Sequence, residues 1–254
     1  SSLLCLHGTR LVRLRASFFF NVSLTTDIFI QRISVASEII WSLYSPETSA
    51  LPVPACPAWT LRDLVLHLAD VHHFWAETIH RADPSQDPPF ETAYPEGADV
   101  LTWARACLDE MVSAIRSVPA DSPCYVWWVE PATAGAVAEH QVYEAEVHRW
   151  DAEGAVRSPA PIDQSIALIG IPEWIESRVT WMTEMPLPLI TFETTDVPSS
   201  SSLGNSALGS VTVRGTASDV YLYMNGRLGV DELSLSGTVE TLSALTSRLE
   251  YLNN

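Results

Sequence analysis

The chain contains no lysine, and all 14 of its basic residues are arginine. A chain without lysine cannot form a Schiff base with a substrate or with pyridoxal phosphate, and it lacks the lysine of a phosphate-binding loop. Cysteine is also scarce, with four residues far apart and no C-x-x-C pair. This usage is typical of reduced thiols in a cytoplasmic protein rather than of a disulfide framework or a zinc ribbon.

Long apolar runs and an excess of positive charge are absent as well. No apolar stretch of the sequence reaches the ~20 residues that a membrane-spanning helix requires. The net charge of −17 argues against a nucleic-acid surface, because phosphate binding needs clustered cations. We therefore expect a cytoplasmic protein that binds neither membranes nor nucleic acids. Its 254 residues, 47% of them apolar, are typical of one large folded domain or two smaller ones.

The first 26 residues differ in character from the rest of the chain. They carry several arginines, whereas the remaining sequence is acidic. Their charges do not precede an apolar core as in a signal peptide, and they contain no clear small-residue cleavage site. We expect residues 1–26 to be a disordered extension.

Four long helices are predicted between residues 27 and 154 from the spacing of apolar residues. They cover about residues 27–44, 60–81, 99–117 and 133–154. The second begins at a capping box in which Thr60 is followed by Asp63, and the fourth has a plausible stop at Gly154. A proline-rich connector at residues 45–59 predicts no regular element. Four helices joined in this way predict an up-and-down four-helix bundle.

The sequence pattern changes near residue 185. A fifth helix is predicted from about 162 to 182, interrupted or restarted at Pro172. Beyond it, strands are predicted for PLPLITFETTD, VTVRG and LSLSG, a loop for PSSSSLGNSALGS, and helices for TASDVYLYMNG, with Thr216 near its cap, and TVETLSALTSRLEYL. We therefore expect a helical domain over residues 27–185 and a small α+β domain over residues 186–254.

Glu144 and His148 form a candidate half of a metal site. They are four residues apart, so their side chains lie one turn apart on the same face of the predicted fourth helix. Catalytic zinc sites use three protein ligands and keep one position open. The best candidate for the third ligand is His67 on the predicted second helix, because it lies among leucines, where an imidazole without a partner would be costly. Ligands on facing helices of a bundle can converge in its core.

Spacing alone leaves alternatives to this set. His73 and Glu77 repeat the four-residue pattern on the second helix, and Asp70 lies one turn after the upstream histidine. His140 lies one turn before the glutamate of the pair, where it is a ligand, a donor to a ligand or an exposed residue. His67, Glu144 and His148 also have an ordinary interpretation as polar groups on solvated helix faces.

Three motifs, in this order, resemble the mycothiol-dependent maleylpyruvate isomerase family: CPAWTLRDLVLHLADVHHFW, YEAEVHRWDAE and VTVRGTASDVYLYMNGR. The resemblance covers about residues 27–252. It implies a DinB-like metal-binding four-helix bundle followed by a sterol-carrier-protein-like α+β domain. Matched position by position, it places the metal ligands of the family on His67, Glu144 and His148.

The resemblance also bears on residues around the ligands. A recurrent arginine of the family falls on Arg227, which would face the active site as a catalytic residue, or would cap the end of the helix that follows Thr216. The family usually has an arginine four residues before the ligand glutamate, where this chain has His140. We expect Asp151 to support the site or pack between helices rather than bind the metal. Three aromatic residues in a predicted loop line the cleft or pack between helices, namely Tyr125, Trp127 and Trp128.

The family's chemistry implies a divalent metal, zinc in the first place, and mycothiol as thiol cosubstrate. An open metal position can bind a thiol and stabilise its thiolate, which is the nucleophile for addition to an electron-poor double bond or for displacement of a leaving group. We therefore expect an isomerase or a thiol S-transferase acting on a small electrophilic substrate. The alternatives are a non-catalytic metal-binding or regulatory protein on the same fold, and a lipid carrier, against which the short C-terminal domain argues. The sequence indicates neither the physiological substrate nor the oligomeric state.

Overall fold

The computed structural model describes residues 25–182, 187–238 and 240–241. The predicted extension lies outside the described residues up to position 24, and so does the predicted closing helix beyond position 241. The predicted domain boundary near residue 185 and the first residue of the predicted strand PLPLITFETTD lie outside the described residues as well. The other predicted elements lie within the described ranges.

The described part of the chain begins with long α-helices that follow the predicted order. They are α1 (Thr26–Leu43), α2 (Leu61–Arg81), α3 (Val100–Ser117), α4 (Ala134–Val156) and α5 (Gln164–Met182). Helix α1 packs mainly against α4, and α2 mainly against α3, while α2 also contacts α4. Each helix lies within two residues of its predicted bounds. In α5 the chain continues through Pro172 without an interruption.

Helix α4 does not stop at Gly154, so that part of the prediction is wrong. The helix runs two residues further, to Val156. Glu153 holds the last turn, because its backbone carbonyl accepts a hydrogen bond from the Arg157 backbone nitrogen at 2.6 Å and its carboxylate pairs with the Arg157 guanidinium at 2.7 Å. A glycine ends a helix where the chain must turn left-handed, and these two contacts instead keep the chain helical past Gly154.

Helix α2 is fixed at both ends by local interactions. The backbone nitrogen of Asp63 donates to Thr60 Oγ1 at 3.3 Å, and the backbone nitrogen of Thr60 donates to the Asp63 carboxylate at 2.8 Å. The predicted capping box is therefore confirmed. At the other end Ala82 adopts a left-handed conformation with φ of 51°. These caps set where His67 lies along α2, in its second turn.

The proline-rich connector before α2 contains two short strands that the sequence did not predict. Strand β1 (Pro52–Val53) pairs antiparallel with β2 (Cys56–Thr60). Proline is tolerated in strands whose outer edge needs no hydrogen bond, and both strands of a two-stranded hairpin are edge strands. Strand β2 leads directly into α2 and therefore places its residues beside the first turns of that helix.

The C-terminal part of the described chain forms a four-stranded sheet. Its strands are β3 (Pro188–Thr194), β4 (Ser199–Leu203), β5 (Asn205–Gly215) and β6 (Ser234–Gly237), in the order β4-β3-β5-β6. Strands β3 and β5 are parallel, and the other neighbouring pairs are antiparallel. Helix α6 (Ala217–Met224) follows β5 and begins at Thr216, whose side chain accepts a hydrogen bond from the Asp219 backbone nitrogen, as predicted.

The stretch PSSSSLGNSALGS was predicted to be a loop, and this prediction is wrong. It forms β4 and the first half of β5. Backbone pairing with β3 holds β4 in place, with Leu203 opposite Ile190 and the serines presented at or near the surface. Because β4 is an edge strand that borders solvent, pairing in the sheet overrides the weak strand propensity of serine.

One hydrophobic core joins the helices to the sheet. It contains side chains from α1, α4, α5, β3 and α6, among them Ile33, Val142, Trp174, Phe192 and Val220. The sheet therefore packs against the helical part through the same core that holds the helices together. The domain boundary near residue 185 stays a prediction. Within the described residues, none of the helices combines the length and the apolar character that crossing a bilayer demands.

Candidate metal centre

Three of the residues predicted from the sequence come together between α2 and α4. His67 projects from α2, and Glu144 and His148 project from successive turns of α4. The Nε2 atoms of His67 and His148 each lie 3.2 Å from the same oxygen, Oε1 of Glu144. The three side chains can offer ligand atoms that all lie within 4.8 Å of one another. The predicted set is thus brought together.

The geometry fits a single small cation. Two ligand atoms bound at about 2.1 Å in a tetrahedral arrangement stand roughly 3.4 Å apart, close to the spacing of each imidazole nitrogen from Glu144. Two imidazoles and one carboxylate are a donor set that zinc takes, with the fourth position left to water or a substrate atom. The side chain of His148 is 6% exposed, whereas those of His67 and Glu144 are 28% and 27% exposed. The group is therefore open to solvent on one side.

The electrostatics of the group favour a positive charge at its centre. Burial favours the neutral form of Glu144, yet His148 and His67 outweigh it and hold the pKa of the Glu144 carboxyl well below its usual range. Burial also opposes the charged form of His148, but Glu144 and Asp151 raise its pKa to about 9. The proton that His148 carries at neutral pH lies where a cation would bind, so a bound cation would displace it.

Asp151 supports His148 from the side away from Glu144. The buried carboxylate accepts a hydrogen bond from Nδ1 of His148 at 3.0 Å. It also accepts two bonds from Arg227, from Nε at 3.2 Å and from Nη2 at 2.8 Å. A histidine whose Nδ1–H is held by a carboxylate presents its Nε2 lone pair to a metal in a fixed orientation. This contact matches the supporting role expected for Asp151.

Arg227 contacts Asp151 rather than the ligand atoms themselves. Its Nη1 donates to the backbone carbonyl of Asn225 at 2.7 Å, and its backbone nitrogen donates to the carbonyl of Leu222 at 2.8 Å. It thus also closes the end of α6, as its alternative interpretation expected. A catalytic role for Arg227 stays a prediction.

Two residues of β2 that sequence reasoning did not assign to the site lie beside it. The thiol of Cys56 lies 4.0 Å from an Asp151 oxygen and 3.8 Å from the Arg227 guanidinium. The ring of Trp59 lies 4.7 Å from that of His67, measured between centroids. Their place in the C-P-x-W motif, immediately before the helix of His67, is the sequence feature that could have indicated their position at the site.

The alternative ligands have other partners. His73 contacts Glu110 of α3 at 3.0 Å through Nδ1, and Asp70 accepts a hydrogen bond from the Ala93 backbone nitrogen at 3.1 Å. His140 contacts Glu173 of α5 at 2.6 Å. Within residues 25–182, 187–238 and 240–241, the triad of His67, Glu144 and His148 is the one group of three or more such side chains close enough to share a cation.

His72 lies in the core close to the triad and is fully buried. Its ring stands edge-on to that of Trp41, with 6.4 Å between centroids. Burial lowers the pKa of His72 to about 3, so this imidazole is neutral at physiological pH. No sequence pattern had singled out His72.

Comparison with known proteins agrees with the geometry. Residues 42–153 match the family model described as the mycothiol maleylpyruvate isomerase N-terminal domain. Two crystal structures resemble the chain, one of the mycothiol-dependent maleylpyruvate isomerase and one of a histidine-to-alanine mutant of it. Each has a TM-score of 0.64 and 16% sequence identity, and the alignment covers 85% of this chain and 95% of that one. No curated protein matches the chain.

The matched span contains the whole triad and Asp151, whereas Arg227 lies beyond it. The structural similarity extends further and, at this low identity, shows a shared fold. The resemblance inferred from the three sequence motifs is therefore confirmed. Residues 42–153 form an N-terminal domain of the mycothiol maleylpyruvate isomerase family, on a chain that has the fold of solved maleylpyruvate isomerases.

Proposed function

We propose that this protein is a metal-dependent enzyme that uses a small-molecule thiol, mycothiol, as cosubstrate and acts as an isomerase or a thiol S-transferase. The observation that carries the proposal is the convergence of His67, Glu144 and His148 within a domain of this family. The site offers two nitrogen donors and one oxygen donor and is open to solvent on one side. This arrangement supports zinc as the metal. The second substrate is a small electrophile.

The side chains of the site have separable tasks in this proposal. A divalent cation, when bound, would lower the pKa of a thiol in the open position. Asp151 keeps His148 in the tautomer whose Nε2 faces the site. Glu144 supplies the negative charge that the two imidazoles surround. Trp59 packs against His67, with 4.7 Å between the ring centroids.

Cys56 is not the nucleophile of the proposed reaction. Burial and the neighbouring Asp151 raise the pKa of the Cys56 thiol, with Arg227 offsetting only part of the effect. A shift in this direction favours the protonated thiol, which is a poor nucleophile. This observation supports a mechanism in which the reactive thiol is brought by the cosubstrate.

Arg227 is the residue through which the C-terminal part of the chain reaches the site. We propose that it acts there mainly by holding Asp151, and through Asp151 the ring of His148. We also propose that Arg227 acts directly on a substrate as a catalytic residue.

We further propose an up-and-down bundle over residues 27–185 followed by an α+β domain over residues 186–254. The packing of α1 against α4 and of α2 against α3 supports this architecture.

The proposal is tested by conjugation of mycothiol to a neutral fluorogenic electrophile. The assay compares protein stripped with a chelator and protein reloaded with zinc. We expect turnover to require both metal and mycothiol, and to fall at least about 100-fold in Glu144→Gln, because a ligand and its charge are lost. His73→Ala is the matched control, since His73 shares the spacing pattern but contacts Glu110 instead.

Turnover that survives chelation, or that Glu144→Gln leaves unchanged, would contradict the proposal. Zinc binding without turnover of any electrophile would favour the non-catalytic metal-binding alternative. The His73→Ala variant should retain at least half of the wild-type rate.

A further inference from the structure

An aromatic shelf lies where the loop before α4 meets α2, and none of its side chains belongs to the triad. We define it as Trp75, Trp127 and Trp128, with the ring of His140 beneath. Trp127 is stacked on Trp75 with 5.6 Å between centroids and an interplanar angle of 23°. Trp128 stands edge-on to both of these rings and is stacked on His140 at 4.2 Å. Trp127 is 46% exposed, although the two rings that hold it are almost completely buried.

The exposure of Trp127 is unusual for so large an apolar group. Tryptophan buries most of its surface in a folded protein, whereas Trp127 keeps one side of its ring open to solvent while the other side packs on buried rings. Stacking on Trp75 fixes the orientation of the Trp127 ring without covering all of it. A rigid aromatic face that is open to solvent suits a flat or ring-shaped ligand.

Trp75 and His140 lie on α2 and α4, the same two helices that carry the triad. His140 lies four residues before Glu144 on α4, which corresponds to about 6 Å along the helix axis. Trp75 lies eight residues after His67 on α2, or about 12 Å. The side chain of His140 is 20% exposed and that of Glu144 is 27% exposed. Measured along the helix axes, the shelf therefore begins about one turn from Glu144 on α4 and lies a little over two turns from His67 on α2.

The polar groups around the shelf restrict what it can bind. His140 contacts Glu173 at 2.6 Å, and Glu139 accepts a hydrogen bond from the Tyr143 hydroxyl at 2.9 Å. Glu176 adds further negative charge near Glu139. Carboxylates accept hydrogen bonds from hydroxyl groups and repel anions. Indole faces pack against the C–H faces of saturated rings. The combination fits a neutral, polyhydroxylated ring rather than a carboxylate-bearing one.

We propose that the aromatic shelf binds the sugar-like portion of the thiol cosubstrate, while the thiol reaches the triad. This inference rests on the proposed function. Mycothiol is a cysteine derivative attached to an amino sugar and a cyclitol. Five bonds of about 1.5 Å separate its sulfur from the first ring and span roughly 6 Å when extended. That reach matches the separation of His140 from Glu144 along α4.

The first test compares two thiols in zinc-loaded protein: mycothiol and N-acetylcysteine, which lacks both rings. The readout is the ratio of the KM for N-acetylcysteine to the KM for mycothiol. We expect Trp127→Ala to reduce this preference about tenfold, because one stacking face is lost. Trp127→Phe should retain most of it. Phe90→Ala is the matched control, since Phe90 is 54% exposed and its ring contacts Phe74, which is not a member of the shelf. The ratio for Phe90→Ala should match that of the wild type.

The second test needs no turnover. The N-acetylglucosaminyl-inositol fragment, which has no thiol and no charge, is titrated into metal-free protein by calorimetry. Binding is expected in the wild type and in Phe90→Ala, and loss of at least tenfold in affinity is expected in Trp127→Ala. Fragment binding without any thiol turnover would leave the shelf assigned and overturn only the proposed function.

Three results would overturn the shelf assignment itself. One is the absence of fragment binding to the wild-type protein. Another is an unchanged thiol preference in Trp127→Ala. The third is a Trp127→Ala effect confined to the KM of the electrophile, which would show that the shelf holds the second substrate.

Discussion

The contact between Arg227 and Asp151 joins the C-terminal part of the chain to the metal-binding face of α4, and its contribution can be measured. Asp151 is 1% exposed, and the Arg227 side chain is 17% exposed. Removing one partner of a buried ion pair leaves an uncompensated charge and costs about 3–5 kcal/mol. Asparagine at position 151 keeps some hydrogen bonding. We therefore expect Asp151→Asn to lower the free energy of unfolding by about 2–4 kcal/mol, and Arg227→Met to lower it by a similar amount.

The double variant should lose less unfolding free energy than the two single variants lose together. Once Arg227 is absent, the neutral side chain at position 151 leaves no buried charge unpaired. We expect a coupling energy of about 2 kcal/mol in the thermodynamic cycle. The assay is urea unfolding of the metal-free proteins at pH 7. Arg214→Met is the control, because its pair with Glu193 is largely exposed and should contribute at most about 1 kcal/mol. Additivity of Asp151→Asn and Arg227→Met within about 0.5 kcal/mol would refute the contact.

Further predictions concern the metal, pH and the sheet. Asp151→Asn should weaken zinc binding about 10–100-fold in competition with a chelating dye, because the His148 ring loses its support; unchanged affinity would contradict that role. The pKa of about 3 for buried His72 lies below the unfolded value near 6.5, so the unfolded chain takes up this proton first. The contribution of His72 to stability is therefore complete well above pH 6.5 and falls by about 2 kcal/mol between pH 7.5 and 5. The difference in unfolding free energy between the wild type and His72→Leu in urea titrations should change by that amount, and a difference that stays constant with pH would contradict it. Gly204 has φ of +95°, and a Cβ there would lie 1.9 Å from the Pro188 carbonyl oxygen. Gly204→Ala should thus lower the melting temperature by several degrees, whereas Gly229→Ala, with open space around it, should not.

The helices and the triad were accessible from the sequence because their determinants are local. The capping box at Thr60 and the spacing of apolar residues lie within each helix, and so do Glu144 and His148, one turn apart. The partner on α2 was inferred from its apolar surroundings and from the family motifs. Non-local packing then brought His67 to the pair, as that inference required.

The remaining features depend on contacts between distant parts of the chain. Arg227 and Asp151 are 76 residues apart, and no local pattern links them. Strand β4 is a run of serines whose strand conformation comes from pairing with β3. The sequence of the connector before α2 predicts no regular element. In the structure it forms a hairpin, which places Cys56 and Trp59 beside the site. The aromatic shelf, too, exists only where the loop before α4 meets α2.

The central claim is that His67, Glu144 and His148 bind one divalent cation. The most direct measurement is anomalous diffraction at the zinc edge from crystals of the zinc-loaded protein. We predict a single strong peak about 2.0–2.2 Å from Nε2 of His67, Oε1 of Glu144 and Nε2 of His148, with a fourth position facing solvent. A peak bound by other side chains, such as His73 and Glu110, or no peak between α2 and α4, would contradict the account.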